Sequence, residues 1–357
     1  MPVIPVPQAQ VGDRLNKDVQ TALGSILMEK GRVLSERDLE ILQAFLIPTV
    51  DITREGAEDL ELAEDETAAA APAVKYNSLQ QEFIQMEKLL KRTFMMVEGG
   101  MKVPVLELRN GLKSLLDFID DYNVITFKPP VTVYQDDHLI RNSVLCAMTC
   151  YMMAKWNKFP EREWMQLSIA GLLHDIGNVK VDKNILNKKG RLTPDEVQEI
   201  RQHTVYGFKL LENATSLNQG VWLAALQHHE RMDGSGYPMR VKGEKIHPYA
   251  KIVAIADVYH AMTSNRNYRK AKSPYLVLEE LMSEKFGKLD PMYVETFVEK
   301  ATQLHLGAFV KLNDGRVGEI VFTDRNYPTR PMVSIQGTVV NLIKERDLHI
   351  VEVFGAS

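Results

Sequence analysis

The chain has 357 residues, 45% of them hydrophobic and 25% charged, which leaves room for more than one domain and a sizeable core. Its 43 Lys and Arg nearly balance 47 Asp and Glu, and the net charge of -4 excludes a strongly basic face for a nucleic-acid duplex; any phosphate-binding patch must be local. No unbroken apolar segment approaches a membrane span, and Met1-Pro2-Val3-Ile4-Pro5 lacks the basic and apolar pattern of a signal peptide, so a cytoplasmic location is expected.

Residues 1–55 read as a small α+β module. Short apolar stretches such as Ile26-Leu27-Met28 are broken by glycines. Ser35 is an N-cap with Asp38 in the first turn, opening a helix through Leu42 to Phe45; Pro48 ends it and residues 49–52 form a strand. Residues 56–75 are an acidic, then Ala-rich, linker with little to form a core. Residues 76–130 connect. Leu79, Phe83, Met86, Leu89, Leu90 and Phe94 recur at helical spacing, and Leu112, Leu115, Leu116 and Ile119 repeat the pattern after Gly99-Gly100. This stripe is core or a homodimer seam, and the helical pair is a route to a signalling partner.

Residues 131–305 are mostly helical. Helices are expected at 144–156, 163–173, 194–211 (with Thr193 and Glu196 as a capping box), 221–228, 252–262 and 274–284. Cys146 and Cys150, one turn apart on the first of these, read as core residues. Residues 306–357 form a small β module, with Asp314-Gly315 marking a hairpin.

The most chemically loaded stretch is His228-His229-Glu230-Arg231-Met232-Asp233-Gly234-Ser235-Gly236-Tyr237-Pro238. Histidines bind transition metals through imidazole nitrogen, and the Gly- and Pro-punctuated run after them reads as a loop shaped to meet a substrate. Upstream, an apolar helix ends in His174-Asp175-Ile176-Gly177. His138 opens a helical stretch, His203 follows Arg201-Gln202, and Asp257 sits within the apolar run Ile252 to Val258. A carboxylate among such neighbours needs a partner, and a cation shared with the histidines supplies one. Taken singly, His138 and His203 read as polar helix residues, and Asp257 as the partner of an arginine or a helix cap. Together, His138, His174, Asp175, His203, His228, His229 and Asp257 are too many ligands for one tetrahedral zinc and suit two metals. The mix of imidazole and carboxylate favours iron or manganese.

These residues resemble the HD-GYP domain, a bacterial branch of the HD metal-dependent phosphohydrolases. His174-Asp175 matches the HD motif, Gly236-Tyr237-Pro238 the GYP motif, and His138 with Arg141 the family's first histidine. Leu192-Thr193-Pro194-Asp195-Glu196 before His203, and Thr263 to Lys270 after Asp257, also fit, so the likeness runs from about Tyr134 to His305. It implies an all-helical HD-type bundle and a cyclic di-GMP phosphodiesterase in which metal-activated water attacks phosphorus. It also implies that His138, His174 and Asp257 hold one metal, that His203, His228 and His229 hold the other, and that Asp175 bridges them. His174 and Asp175 are then the catalytic pair. Gly236 and Tyr237 shape the substrate pocket with Asn178, and Arg266, Arg269 and Lys270 hold phosphate.

Three positions depart from the family pattern. Tyr134 stands where three-metal relatives carry glutamate, which favours two metals; Asp136 and Asp137 are near but on another face. Asn178 replaces the lysine of His-Asp-Ile-Gly-Lys, with Lys180 two residues on, and His260 replaces a common aspartate. Asn178 and His260 keep open a second reading, a module that binds cyclic di-GMP or a protein without turnover. A third is hydrolysis of another nucleotide.

Overall fold

The computed structural model describes residues 3–6, 9–20, 26–44, 47, 49–53, 76–130, 137–188, 190–264, 271–284, 287–303 and 306–354. The expected helix end at Phe45 and Pro48, and the linker at 56–75, lie outside the described residues. The chain forms two compact units: 1–75 with 305–357, and 76–304.

In the first unit, strands β1 (Val3–Pro5), β2 (Arg14–Leu15), β3 (Val19–Gln20) and β4 (Ile26–Met28) precede helix α1 (Glu36–Ala44) and β5 (Thr49–Thr53). β5 is the middle of an antiparallel sheet ordered β1-β5-β2, and β3 pairs with β4. Ser35 caps α1 as expected: its Oγ accepts from the Asp38 N–H at 3.2 Å, and the Asp38 carboxylate accepts from the Ser35 N–H at 2.9 Å. Val50 and Ile52 point inward by the period of two and join Leu15, Leu34 and Leu42 in the core.

The same unit holds β6 (Phe309–Leu312), β7 (Val317–Phe322), β8 (Met332–Ile335), β9 (Thr338–Asn341) and β10 (Ile350–Phe354), an antiparallel sheet ordered β10-β6-β7-β8-β9. Asp314-Gly315 turns between β6 and β7, with Gly315 at φ +88°. Arg37 of α1 pairs with Glu352 at 2.6 Å and lies 4.6 Å over the Phe354 ring, while Phe354 packs on the N-terminal core. The two ends of the chain therefore fold as one body.

The second unit is helical. α2 (Ser78–Glu98) and α3 (Val105–Leu116) lead into α4 (His138–Trp156) and α5 (Glu161–Leu173). Then come α6 (Lys183–Leu186), α7 (Pro194–Arg201), α8 (His203–Leu211), α9 (Gln219–Gln227), α10 (Pro248–Thr263), α11 (Pro274–Glu284) and α12 (Pro291–Gln303). The stripe of α2 at Leu79, Phe83, Met86, Leu90 and Phe94 is buried within the unit, so it is core. α4 and α10 are buried on most of their circumference, the mark of central helices. Glu87 of α2, fully buried, pairs with Arg141 at 2.8 Å and fixes the first turn of α4. Cys146 and Cys150 are free and buried, as expected.

One expected helix is two. Thr193 and Glu196 form the capping box, but the run 194–211 breaks at Gln202. The Nδ1 of His203 donates to the Ile200 carbonyl at 2.7 Å, and the Thr204 hydroxyl donates to the Arg201 carbonyl at 3.0 Å. Side chains thus satisfy the last carbonyls of α7, and α8 starts afresh with His203 in its first position. The 3-10 turn Ile176–Lys180 packs against that start. A Cβ on Gly177 would stand 1.9 Å from the His203 carbonyl oxygen, so only glycine allows the approach. Gly177→Ala should lower the unfolding free energy by about 3 kcal/mol, read from urea denaturation; a loss under about 1 kcal/mol would mean that the two backbones are not held together.

Candidate metal centre

The ligand-type side chains sit where helices begin and end. His138 opens α4, His174 caps the C-terminus of α5, Asp175 follows it, His203 opens α8, and His228 caps the C-terminus of α9. Only Asp257 lies inside a helix, α10. The other helices contribute their polar groups at or next to a terminus, where the apolar core gives way.

Three imidazoles are oriented in the same manner. The Nδ1 of His174 donates to the Gly171 carbonyl at 2.8 Å, that of His203 to Ile200, and that of His228 to the Ala224 and Ala225 carbonyls, both at 3.1 Å. With Nδ1 carrying the proton, every Nε2 presents a lone pair. The Nε2 atoms of His203 and His228 face each other at 3.3 Å, and Asp175 Oδ1 lies 3.2 Å from the first and 3.7 Å from the second. Electron-rich atoms converging in a buried place repel unless a cation lies among them. A metal about 2.1 Å from each would set its ligand atoms about 3 to 3.5 Å apart, close to these spacings.

Two groups of potential ligands result, each with its atoms within 4.8 Å of one another: Asp175, His203, His228 and His229, and Cys146, His174 and Asp257. The adjacent His174 and Asp175 join them. His174 Nε2 is buried without a hydrogen-bond partner, 3.5 Å from Asp175 Oδ2 and 3.7 Å from Asp257 Oδ1. His138 belongs to neither group among the described residues, yet its Nε2 is also buried and unpartnered. It shares a face of α4 with Asn142 and Cys146, one and two turns on. Asn142 donates to Asp257 Oδ1 at 2.8 Å, so that face is turned toward the centre. The donor set, imidazole nitrogen and carboxylate oxygen with inward lone pairs, fits a divalent metal.

The charges follow this arrangement. Burial disfavours the Asp175 carboxylate, but His174, His228 and His203 outweigh it and hold the group well below the usual carboxylate range. Burial likewise opposes Asp257, and His174 overrides it downward. His174 is opposed by burial, yet Asp175 and Asp257 push it up to about 9. Burial, aided by His228, keeps His229 and His203 below the ordinary histidine value. A metal displaces the proton these carboxylates otherwise draw onto His174. The Asp175 and Asp257 side chains are each 18% exposed while those of His174 and His228 are sealed, so the centre opens on its carboxylate side.

Tyr237 stacks on His229, ring centroids 4.7 Å apart at 26°. A Cβ on Gly236 would come within 2.5 Å of the Arg231 nitrogen and the Glu230 Cα, so this loop folds back directly on the histidine pair. Glu230, given no role in the sequence analysis, holds the loop there. It is 2% exposed, and its Oε1 accepts from the N–H groups of Met239 and Arg240 at 2.7 and 3.0 Å.

Asn178 and His260 lie where their side chains serve the fold. Asn178 donates its amide to the Asp175 carbonyl at 3.0 Å, bracing the turn that carries Asp175. His260 Nε2 is 2.7 Å from the Thr149 hydroxyl, which is 2.9 Å from Tyr122 Oη, in a buried chain between α4 and α10. Tyr134, Asp136, Arg266, Arg269 and Lys270 lie outside the described residues. The sequence reading missed Glu230, Asn142 and Cys146. Helical spacing from His138 would have found the last two.

Comparison with known proteins agrees. Residues 130–292 match the HD domain family. Cyclic di-GMP phosphodiesterase PA4108 of Pseudomonas aeruginosa is 28% identical over 341 residues, which cover 89% of this chain and 81% of that protein. The cyclic di-GMP phosphodiesterase response regulator RpfG of Xanthomonas campestris is 37% identical, over 40% of this chain and 38% of that one. The 3'3'-cGAMP-specific phosphodiesterase 2 of Vibrio cholerae is 35% identical, over 43% of this chain and 30% of that one. Residues 130–292 are thus an HD domain, and these likenesses support an HD-GYP domain protein. An HD domain implies divalent metal binding, and among the described residues the two groups above could hold metal. Among the described residues no helix is long and apolar enough to cross a membrane.

Two outcomes follow. Glu230→Ala leaves two loop N–H groups without an acceptor and should cost about 1–3 kcal/mol of stability; unchanged urea unfolding would mean that Glu230 does not clamp the HD-GYP loop. Burial lowers His260 to about 3, so it is neutral in the fold and takes up a proton on unfolding. Its contribution is present above about pH 6.5 and is lost as pH falls toward 3. His260→Gln should flatten the decline of unfolding free energy between pH 7 and 5, and an unaltered slope would place the titration elsewhere.

Proposed function

We propose that this chain hydrolyses cyclic di-GMP with two divalent metals held by the seven side chains expected from its sequence. The observation that carries the reading is the convergence of the His203 and His228 Nε2 lone pairs on Asp175 Oδ1. Two relatives named for cyclic di-GMP hydrolysis support the substrate.

His203, His228 and His229 would hold one metal, His174, Asp257 and His138 the other, with Asp175 shared. The nitrogen and oxygen donors favour iron or manganese. Metals held there would supply positive charge to the phosphoryl group and lower the pKa of the attacking water. The protein's own part is orientation. Backbone carbonyls fix the tautomers of His174, His203 and His228, Asn142 fixes Asp257, and Glu230 fixes the loop that presents Tyr237 to the nucleotide. Gly236 lets that loop close on His229.

Asn178 and His260 weigh less against turnover than their sequence positions imply, because their side chains are committed to Asp175's carbonyl and to Thr149. Phosphate contact would then fall to other cations, with Arg266, Arg269 and Lys270 the candidates named by resemblance. A second substrate, 3'3'-cGAMP, is favoured by the relative named for it. With the α2 stripe buried, self-association or a signalling partner would use the exposed Met95, Met101 and Leu106.

The test is turnover of cyclic di-GMP and of 3'3'-cGAMP by anaerobically purified protein loaded with iron or manganese, metal counted on the same sample. Cyclic di-GMP should be the faster substrate. Asp257→Ala should lose one metal per chain and at least about 100-fold in turnover, since even partners of ligands cost 10–100-fold. A fully active Asp257→Ala protein would refute the site. Metal and nucleotide bound without turnover would make the chain a receptor.

A further inference from the structure

The cations described around the centre are mostly engaged. Arg231 donates to the His228 and Glu230 carbonyls at 3.2 and 2.9 Å, and Lys188 pairs with Glu196 at 2.7 Å. Arg201 differs. It is the last residue of α7 and half-buried, and among the described residues its guanidinium makes no ion pair or hydrogen bond.

What holds it is a ring. The guanidinium carbon lies 4.9 Å from the Tyr237 ring centroid. Tyr237 in turn stacks on His229, and stands edge-on to His203 at 6.4 Å. A guanidinium on an aromatic face is oriented and partly stripped of water, while its N–H donors remain available for an anion. The arrangement is anchored twice. Glu230 fixes the loop carrying Tyr237, and the α7–α8 break, closed by His203 and Thr204, fixes the backbone of Arg201. Arg201 is therefore a preset, unpaired positive charge one ring away from a ligand of the metal centre. It lies beside the centre where Asn178 brings none.

We propose that Arg201 binds a phosphate oxygen of the nucleotide held at the metal centre, making it a substrate-binding residue of this site. The proposal rests on the phosphodiesterase reading above. It assigns to the end of α7 a charge that the sequence pattern of the HD-GYP motifs does not point to, and it makes Tyr237 a platform for that charge as well as a wall of the pocket.

The experiment compares metal-loaded wild type, Arg201→Gln and Arg201→Lys in cyclic di-GMP hydrolysis, with metal counted in each. Losing one charge-assisted contact should raise KM about tenfold in Arg201→Gln with kcat little changed, and lysine, which keeps the charge and the ring contact, should recover most of the loss. An unchanged KM overturns the proposal. So does a raised KM accompanied by loss of metal, since Arg201 would then act only by supporting the Tyr237–His229 stack. If wild type does not cleave cyclic di-GMP, the functional reading fails separately. Equilibrium binding of bis(4-nitrophenyl) phosphate to the same proteins then decides Arg201: weaker binding in Arg201→Gln upholds it, and equal binding overturns it.

Discussion

The helical unit is organised around an electrostatic problem, the meeting of the His203 and His228 Nε2 lone pairs with the Asp175 carboxylate in a largely sealed place. With Nδ1 of each ring tied to backbone carbonyls, both rings turn Nε2 toward that carboxylate. Removing charge from water without a partner is costly, and a cation at the centre would offset that cost. Much of the surrounding backbone is shaped to maintain it. α5 and α9 end at His174 and His228, α7 breaks so that α8 can begin with His203, and Gly177 lets the turn after Asp175 lie against that beginning.

Support for these ligands comes from groups that touch no candidate metal position. Carbonyls one turn back hold three imidazoles, Asn142 holds Asp257, and Asn178 holds the turn bearing Asp175. Glu230 extends the same logic to the loop, where two N–H groups closing on one buried carboxylate oxygen set the position of Tyr237 against His229. Preorganisation of this kind lets binding energy act on the substrate instead of on ordering the protein. Tyr237 also links the metal centre to Arg201, so an aromatic ring connects the positions proposed for metal and phosphate.

The first unit shows a different economy. Its N-terminal sheet and helix are small, and the chain's last strand returns to them through Arg37, Glu352 and Phe354. Modules of this size bury little apolar surface alone, and sharing a core offsets part of the cost of ordering them.

The residue types of the metal centre, the Gly-Tyr-Pro loop, the Ser35 and Thr193 caps and the Asp314-Gly315 hairpin were legible in the sequence, because each depends on local chemistry: a ligand atom, a cap acceptor, or a glycine at positive φ. The helical period likewise marked the α2 stripe as apolar. Contacts between distant segments were not legible. Nothing in the chain order joins Arg37 to Glu352, Asn142 to Asp257, or Arg201 to Tyr237. Asn178 and His260 read as losses at the site, and only packing revealed that one braces the Asp175 turn while the other lies in a hydrogen-bonded chain with Thr149 and Tyr122. The break at Gln202 was hidden for the same reason, since local propensity favours one continuous helix. The sequence by itself determined which groups could bind metal and where most of the helices and the C-terminal hairpin lie. The tertiary structure alone decided which of those groups face one another, because a side chain's direction depends on where its helix ends and on what is packed against it.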